Sequence, residues 1–211
     1  MKNVIAIVGI HTDIGKTIAS AVIAEALQAD YWKPVQAGNI GHRDKWVVEN
    51  LISNSKDRVH AEAVLLSEPM SPHAAAAIDN VEIDHTKFIW PSTDKLLLIE
   101  TAGGVLSPMY EDVTMADFVK YYELPVILVS KNYLGSINHT LLSVEVLRSR
   151  DIPILGIVMN GETNKESESF IEAYSKVPVI ARIPFFEELT HTAIKDCAVE
   201  ISKSLSEHVK H

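Results

Sequence analysis

The stretch Val4-Ile-Ala-Ile-Val-Gly-Ile-His-Thr-Asp-Ile-Gly-Lys-Thr17 decides how the chain is read. Its apolar opening, Val4 to Val8, has the length and composition of a buried strand, and it runs directly into a turn bounded by Gly9 and Gly15. The segment beyond, Ile18 to Leu27, is Ala-rich and predicts a helix. A strand, a glycine-bounded loop and a helix in that order make a phosphate cradle. The loop can turn its N–H groups inward, and the helix adds the positive end of its dipole. Lys16 then reaches the β- and γ-phosphates of a triphosphate, the Thr17 hydroxyl sits on Mg²⁺, and Asp13, Ile14 and Gly15 line the phosphates with backbone. Five residues separate Gly9 from Gly15, one more than the common pattern has.

Outward from the loop, short apolar runs recur at Leu96 to Ile99, Val126 to Val129, Ile154 to Met159 and Val177 to Ile180. Runs that are apolar throughout suit parallel strands covered on both faces. Between and after them, helical spacing appears at Thr17 to Gln28, Asp44 to Ile52, Met115 to Tyr121, Ile137 to Arg148 and Glu166 to Tyr174, with a last helix at Asp196 to Lys210. The alternation predicts a three-layer α/β/α fold with a mostly parallel central sheet, like that of P-loop nucleotide-binding proteins. Ligands of such folds gather beyond the carboxyl ends of the strands.

The 211 residues suit one domain spanning 1–211. Nineteen Lys and Arg against 28 Asp and Glu give a formal charge of -9, which disfavours a nucleic acid as partner. Cys197 is the single cysteine and reads as a small core residue, since it has no partner for a disulfide. No apolar run approaches the roughly 20 residues of a membrane span, and the chain opens on a strand-like run instead of a signal peptide. A cytoplasmic location is therefore expected.

A phosphate loop needs acidic company for its metal, from a second strand ending on the same edge of the sheet. Leu96-Leu-Leu-Ile-Glu100 supplies it, followed by the small residues Thr101-Ala-Gly-Gly104 that let backbone come close to a ligand. Asp44, beyond Lys33-Pro-Val-Gln-Ala-Gly38, is less determined by spacing, because an N-cap role would account for it equally well.

Taken together, several motifs resemble the dethiobiotin synthetase family over nearly the whole chain. They are Gly9-x-x-Thr-x-x-Gly-Lys-Thr17, Tyr31-Trp-Lys-Pro-Val-Gln36, Ser71-Pro-His73, Glu100-x-Ala-Gly-Gly104, Pro125-Val-Ile-Leu-Val129 and Leu134-Gly-Ser-Ile-Asn-His139. Gly-Lys-Thr is common to many nucleotide enzymes, whereas Leu-Gly-x-Ile-Asn-His is distinctive, and the family shares the longer loop. The resemblance implies carboxylation of 7,8-diaminononanoate by CO₂ to a carbamate, phosphorylation by ATP to a carbamic-phosphoric anhydride, and closure of the ureido ring.

By the same resemblance, Lys16 stabilises the transferring phosphoryl group and Lys33 binds the carbamate and γ-phosphate, with Thr12 near the substrate. Thr17, Asp44 and Glu100 become the Mg²⁺ ligands. Gln36, Ala37 and Gly103 border the diamine. Asn160 recognises adenine with Ile183, Pro184 and Phe185 beside the base. The substrate's carboxylate tail reaches Leu134, Gly135, Ser136, Ile137 and Asn138 of a neighbouring subunit, which makes the enzyme a homodimer with a shared site. Two positions depart from the family pattern: His11 stands where an Asp is usual, and Thr101 where a glycine is usual. Two other classes fit a P-loop. A switch ATPase acting through a protein partner commonly has an extra lysine early in the loop, and Ile10 to Ile14 has none. An amide-forming synthetase of the cobyrinate type usually continues into a glutaminase domain, for which 211 residues leave no room.

Overall fold

A computed structural model describes residues 3–209. In chain order the elements are β1 (Val4–Gly9), α1 (Lys16–Leu27), β2 (Asp30–Trp32), β3 (Val35–Ala37), α2 (Asp44–Leu51), β4 (Val64–Leu66), α3 (Pro72–Asp79), β5 (Leu97–Glu100), β6 (Pro108–Tyr110), β7 (Val113–Thr114), α4 (Met115–Tyr121), β8 (Val126–Lys131), α5 (Ser136–Ser149), β9 (Ile154–Asn160), α6 (Lys165–Ser175), β10 (Val179–Ile183) and α7 (His191–His208).

Six strands form one sheet in the order β10-β9-β8-β1-β5-β2, and every pairing in it is parallel. Helices α1, α2 and α7 pack together, as do α5 and α6, giving the expected three layers. All six residues of β1 are buried, and each fully covered Ile or Val contributes about 1.5–3 kcal/mol relative to exposure. Because the strands are parallel, Gly9, Trp32, Glu100, Lys131, Asn160 and Ile183 all end on one edge.

The sequence pattern predicts β1, β5, β8 and β9 to within about two residues, and the shifts elsewhere have physical reasons. β10 starts at Val179 and runs to Ile183; Pro178 lacks an N–H for the ladder and stands at the strand entrance, where its carbonyl accepts from Ile157 N at 2.8 Å. α7 begins at His191, well ahead of Asp196, because the Thr190 side chain caps it by accepting from Ala193 N at 3.2 Å. β2 has three residues and opens on Asp30, too short and too polar for an apolar-run signal. Cys197 is buried as expected, and burial pushes its thiol up to about 11.

The carboxyl end of α1 is tied down by a buried arginine. Arg58 Nε donates to Ala29 O at 3.0 Å, Nη1 to Ser53 O at 2.7 Å and to Glu25 Oε2 at 3.2 Å, and Nη2 to the carbonyls of Ala24 and Ala29. Its guanidinium thus ties the last turn of α1, through Ala24 O and Glu25, to the segments that hold Ala29 and Ser53. Glu25 also accepts from Ser53 N at 2.9 Å and Ser53 Oγ at 2.6 Å. Replacing Arg58 with Met removes donors from several buried acceptors at once. Chemical denaturation should show Arg58→Met less stable by about 3 kcal/mol or more; a loss within about 0.5 kcal/mol would mean that α1 is held by other contacts.

Candidate active site

Gly15 has φ 85° and caps α1 without a side chain. A Cβ there would collide with the Asn160 amide, so the loop closes against β9 only because this residue is glycine. Gly9 makes room in a second way, since a Cβ on it would lie 2.8 Å from Lys16 Cδ. The lysine folds back over the loop, and its Nζ donates to His11 O at 3.0 Å. Burial pushes the Lys16 ammonium down to about 8 against the pull of Glu100.

Beside Lys16 lies a compact group of charges. Thr17 Oγ1 is 2.9 Å from Asp44 Oδ1 and 2.9 Å from Glu100 Oε1. Lys33 Nζ is 2.5 Å from Asp44 Oδ2 and 3.2 Å from Glu100 Oε1. Burial works against the Lys33 charge, yet the Glu100 and Asp44 carboxylates outweigh it and hold the ammonium above the ordinary lysine value. Burial likewise opposes the Asp44 charge, but Lys33, Thr17 and Gln36 hold that carboxyl below its usual range. Asp44 is the first residue of α2, with Arg43 in the cap position, so the N-cap alternative does not hold. Its backbone N donates to Gln36 Oε1 at 3.3 Å.

The donor set fits a hard divalent cation. Thr17 has one hydroxyl proton and faces two carboxylate oxygens, so one of its 2.9 Å contacts is oxygen to oxygen with no hydrogen between. A cation relieves that contact, and a hydroxyl with two carboxylates suits Mg²⁺. Lys33 shows that the spot already accepts positive charge.

These residues line a cleft of about 700 Å³ together with Thr12, Asp13, Gly15, Ala37, Ala102 and Gly103. Its wall also contains Asn39, Pro69, Met70, Ser71, Pro72 and Ser107. Of these, only Ser71 and Pro72 carried a signal, within Ser71-Pro-His73. Ser107 is brought in by its own turn, where Oγ accepts from Gly104 N at 2.7 Å. Asn160 sits on the loop, donating from Nδ2 to Ile14 O at 2.8 Å, and it pairs in register with Ile183. Pro184 and Phe185 follow that strand end and are exposed.

Leu134 to Asn138 do not line the cleft of their own chain. They form the turn into α5, with Gly135 at φ 98° and Leu134 fully exposed. Beside them a shallower depression of about 460 Å³ is lined in part by Ile10, His11, Leu106, His139, Leu142 and Val146. The two departures from the family pattern are accommodated. Thr101 is not among the positive-φ residues, and its N and Oγ1 donate to Ile7 O at 3.0 and 3.2 Å, so glycine's freedom is not needed there. His11 points outward, its ring stacked at 6.1 Å on His139, and presents only its carbonyl to Lys16.

A family model described as an AAA domain matches residues 3–193. The ATP-dependent dethiobiotin synthetase BioD of Christiangramia forsetii is 45% identical over 204 residues, covering 95% of this chain and 97% of that protein. Its namesake from Chlamydia pneumoniae is 46% identical, covering 92% and 86%. The chain belongs to the dethiobiotin synthetase family. Among solved structures, the cell division ATPase MinD of Pyrococcus furiosus aligns with a TM-score of 0.57 at 16% identity, covering 98% of this chain and 99% of that one. A putative plasmid partition protein of Borrelia burgdorferi bound to AMPPNP gives 0.56 at 13% identity, covering 99% and 98%. At such identities these two likenesses show the shared fold alone.

If Lys16 grips phosphate, MgATP should raise the melting temperature of the protein by mass action, with about 2.7 kcal/mol of added stability at a hundredfold excess over Kd. Lys16→Ala should lose most of that rise. Equal rises for both proteins, read by differential scanning fluorimetry, would take Lys16 out of the nucleotide site.

Proposed function

We propose that the chain, as one catalytic unit over residues 1–211, converts 7,8-diaminononanoate, CO₂ and ATP to dethiobiotin, ADP and phosphate. One observation carries this reading: Lys16, Lys33, Thr17, Asp44 and Glu100 meet in a single cleft with Thr12, Gln36, Ala37 and Gly103. That cleft can hold a triphosphate end-on to a second, anionic reactant.

In this scheme one amine of the substrate adds to CO₂ and loses a proton, giving a carbamate. A carbamate oxygen attacks the γ-phosphorus, the bond to the β-phosphate oxygen breaks, and ADP leaves. The second amine then attacks the carbamoyl carbon, phosphate departs with the C–O bond, and loss of the amine proton leaves the ureido ring. Lys16 answers the charge that grows on the phosphoryl oxygens. Lys33 divides one positive charge between two carboxylates, and extends it to the carbamate that must approach another anion. Thr17, Asp44 and Glu100 would hold Mg²⁺, which supplies charge neutralisation on the triphosphate when bound. Gln36 keeps Asp44 in place by accepting its backbone N–H on the side-chain Oε1, and the same side chain borders the cleft. Asn160, released from Ile14 O, reads the adenine edge, with Ile183 to Phe185 beside it.

We further propose a homodimer in which Leu134 to Asn138 of a second copy receive the substrate's carboxylate at the start of α5, where free N–H groups favour an anion. Their absence from the lining of their own cleft supports this arrangement, as does the apolar depression next to them. Small molecules are then the only substrates, and the cytoplasm suits the reaction. Among the described residues no helix is long and apolar enough to cross a membrane.

Purified protein given the diamine, bicarbonate and MgATP should form dethiobiotin. ATP hydrolysis stimulated by a protein partner without any dethiobiotin would instead favour a nucleotide switch. For the shared site, Lys16→Ala and Asn138→Ala are each expected to be nearly inactive. Mixing them with subunit exchange should restore up to about a quarter of wild-type activity through hybrid dimers having one intact site, and failure to regain any would count against a pocket built from two chains.

A further inference from the structure

Glu100 is 1% exposed, and its two carboxylate oxygens have different partners. Oε1 faces Thr17 Oγ1 at 2.9 Å and Lys33 Nζ at 3.2 Å. Oε2 accepts from the Tyr31 hydroxyl at 3.1 Å. Tyr31 is 0% exposed, so its phenol has no water to turn to, and the bond to Glu100 is the one that satisfies it.

The backbone around Tyr31 is pinned on both sides. In the sheet it is in register with Leu98 of β5. On its outer side Tyr31 N donates to Arg58 O at 2.7 Å, and Tyr31 O accepts from His60 N at 2.9 Å. Neighbouring Trp32 is wedged between Phe88 and Trp90 and donates from Nε1 to Ala61 O at 2.8 Å. A short edge strand of three residues is thereby bonded on both sides, which holds the phenol oxygen in place.

We propose that Tyr31 is a positioning residue for the metal site, its hydroxyl locking the Glu100 carboxylate in the rotation that presents Oε1 to Thr17 and the cation. This rests on the assignment of Glu100 as a magnesium ligand. A carboxylate held by one oxygen alone can rotate about its terminal bond, a torsion with a broad minimum; Tyr31 removes that freedom. Partners of this kind, standing behind the ligands, typically change metal affinity by about 10–100-fold when lost.

The test is Tyr31→Phe, which keeps the ring and deletes one hydroxyl. Mn²⁺ binding to the complex of the protein with ADP, followed by electron paramagnetic resonance, should weaken by about tenfold or more. ADP affinity in EDTA should stay within about twofold, since phosphate contacts to the loop do not involve Tyr31. Unchanged Mn²⁺ affinity would overturn the inference. So would a parallel fall in both affinities, which is what a general loosening of the fold produces. If the wild-type ADP complex itself binds no Mn²⁺, the metal assignment fails and this inference falls with it, an outcome the wild-type measurement identifies before any variant is compared.

Discussion

Two carboxylates reach one threonine hydroxyl, and the molecule is arranged to keep them there. Asp44 comes from the start of α2 and Glu100 from the end of β5, while Thr17 stands in the first turn of α1. Two like charges gathered on one hydroxyl repel, and Thr17 has a single proton to set between them. The balance comes from Lys33, next after β2, whose ammonium bridges both acids. A site that must collect positive charge to be stable is also one that can gather a metal, a polyphosphate and a second anion.

The fold supplies that site through parallel strands. β1 is flanked by β5 and β8, so the phosphate loop leaves the sheet beside the strand that ends in Glu100. β2 lies beyond β5, which brings Lys33 to the same edge, and β9 with β10 brings Asn160 and Ile183. The glycines at 9 and 15 let the loop close on Lys16 and on Asn160. Farther away, Arg58 fixes the end of α1 while its backbone carbonyl fixes Tyr31, linking the stability of the helix to the position of the carboxylate it serves.

Much of this was legible because it is local. The phosphate loop is one contiguous segment in which strand, glycines, lysine and threonine occur in order, and the buried strands announce themselves as apolar runs. Glu100 could be read from its place at a strand end. Asp44 could not be settled from spacing, since its contact with Thr17 spans 27 residues and depends on how α2 returns to the loop; resemblance to the family supplied what periodicity lacked. Tyr31 looks in sequence like any aromatic of a short strand, and only the register of β2 against β5 shows that its hydroxyl meets Glu100. Glu168 lies among polar residues that give no apolar signal, yet it is buried and paired with Arg182 at 2.7 Å. Pro69 and Met70 of the cleft wall carried no signal, because the chain around them has little apolar pattern and is placed by contacts between β3, β4 and α3.

What occupies the space among Thr17, Lys33, Asp44 and Glu100 decides the chemistry of the cleft. A crystal structure of the protein with Mg²⁺ and a non-hydrolysable ATP analogue measures this directly. The expected result is phosphate oxygens on the backbone N–H groups of Ile14 to Thr17 and a metal ion bonded within the group formed by Thr17, Asp44 and Glu100. A nucleotide bound elsewhere, or a metal held without any of those three residues, would contradict it.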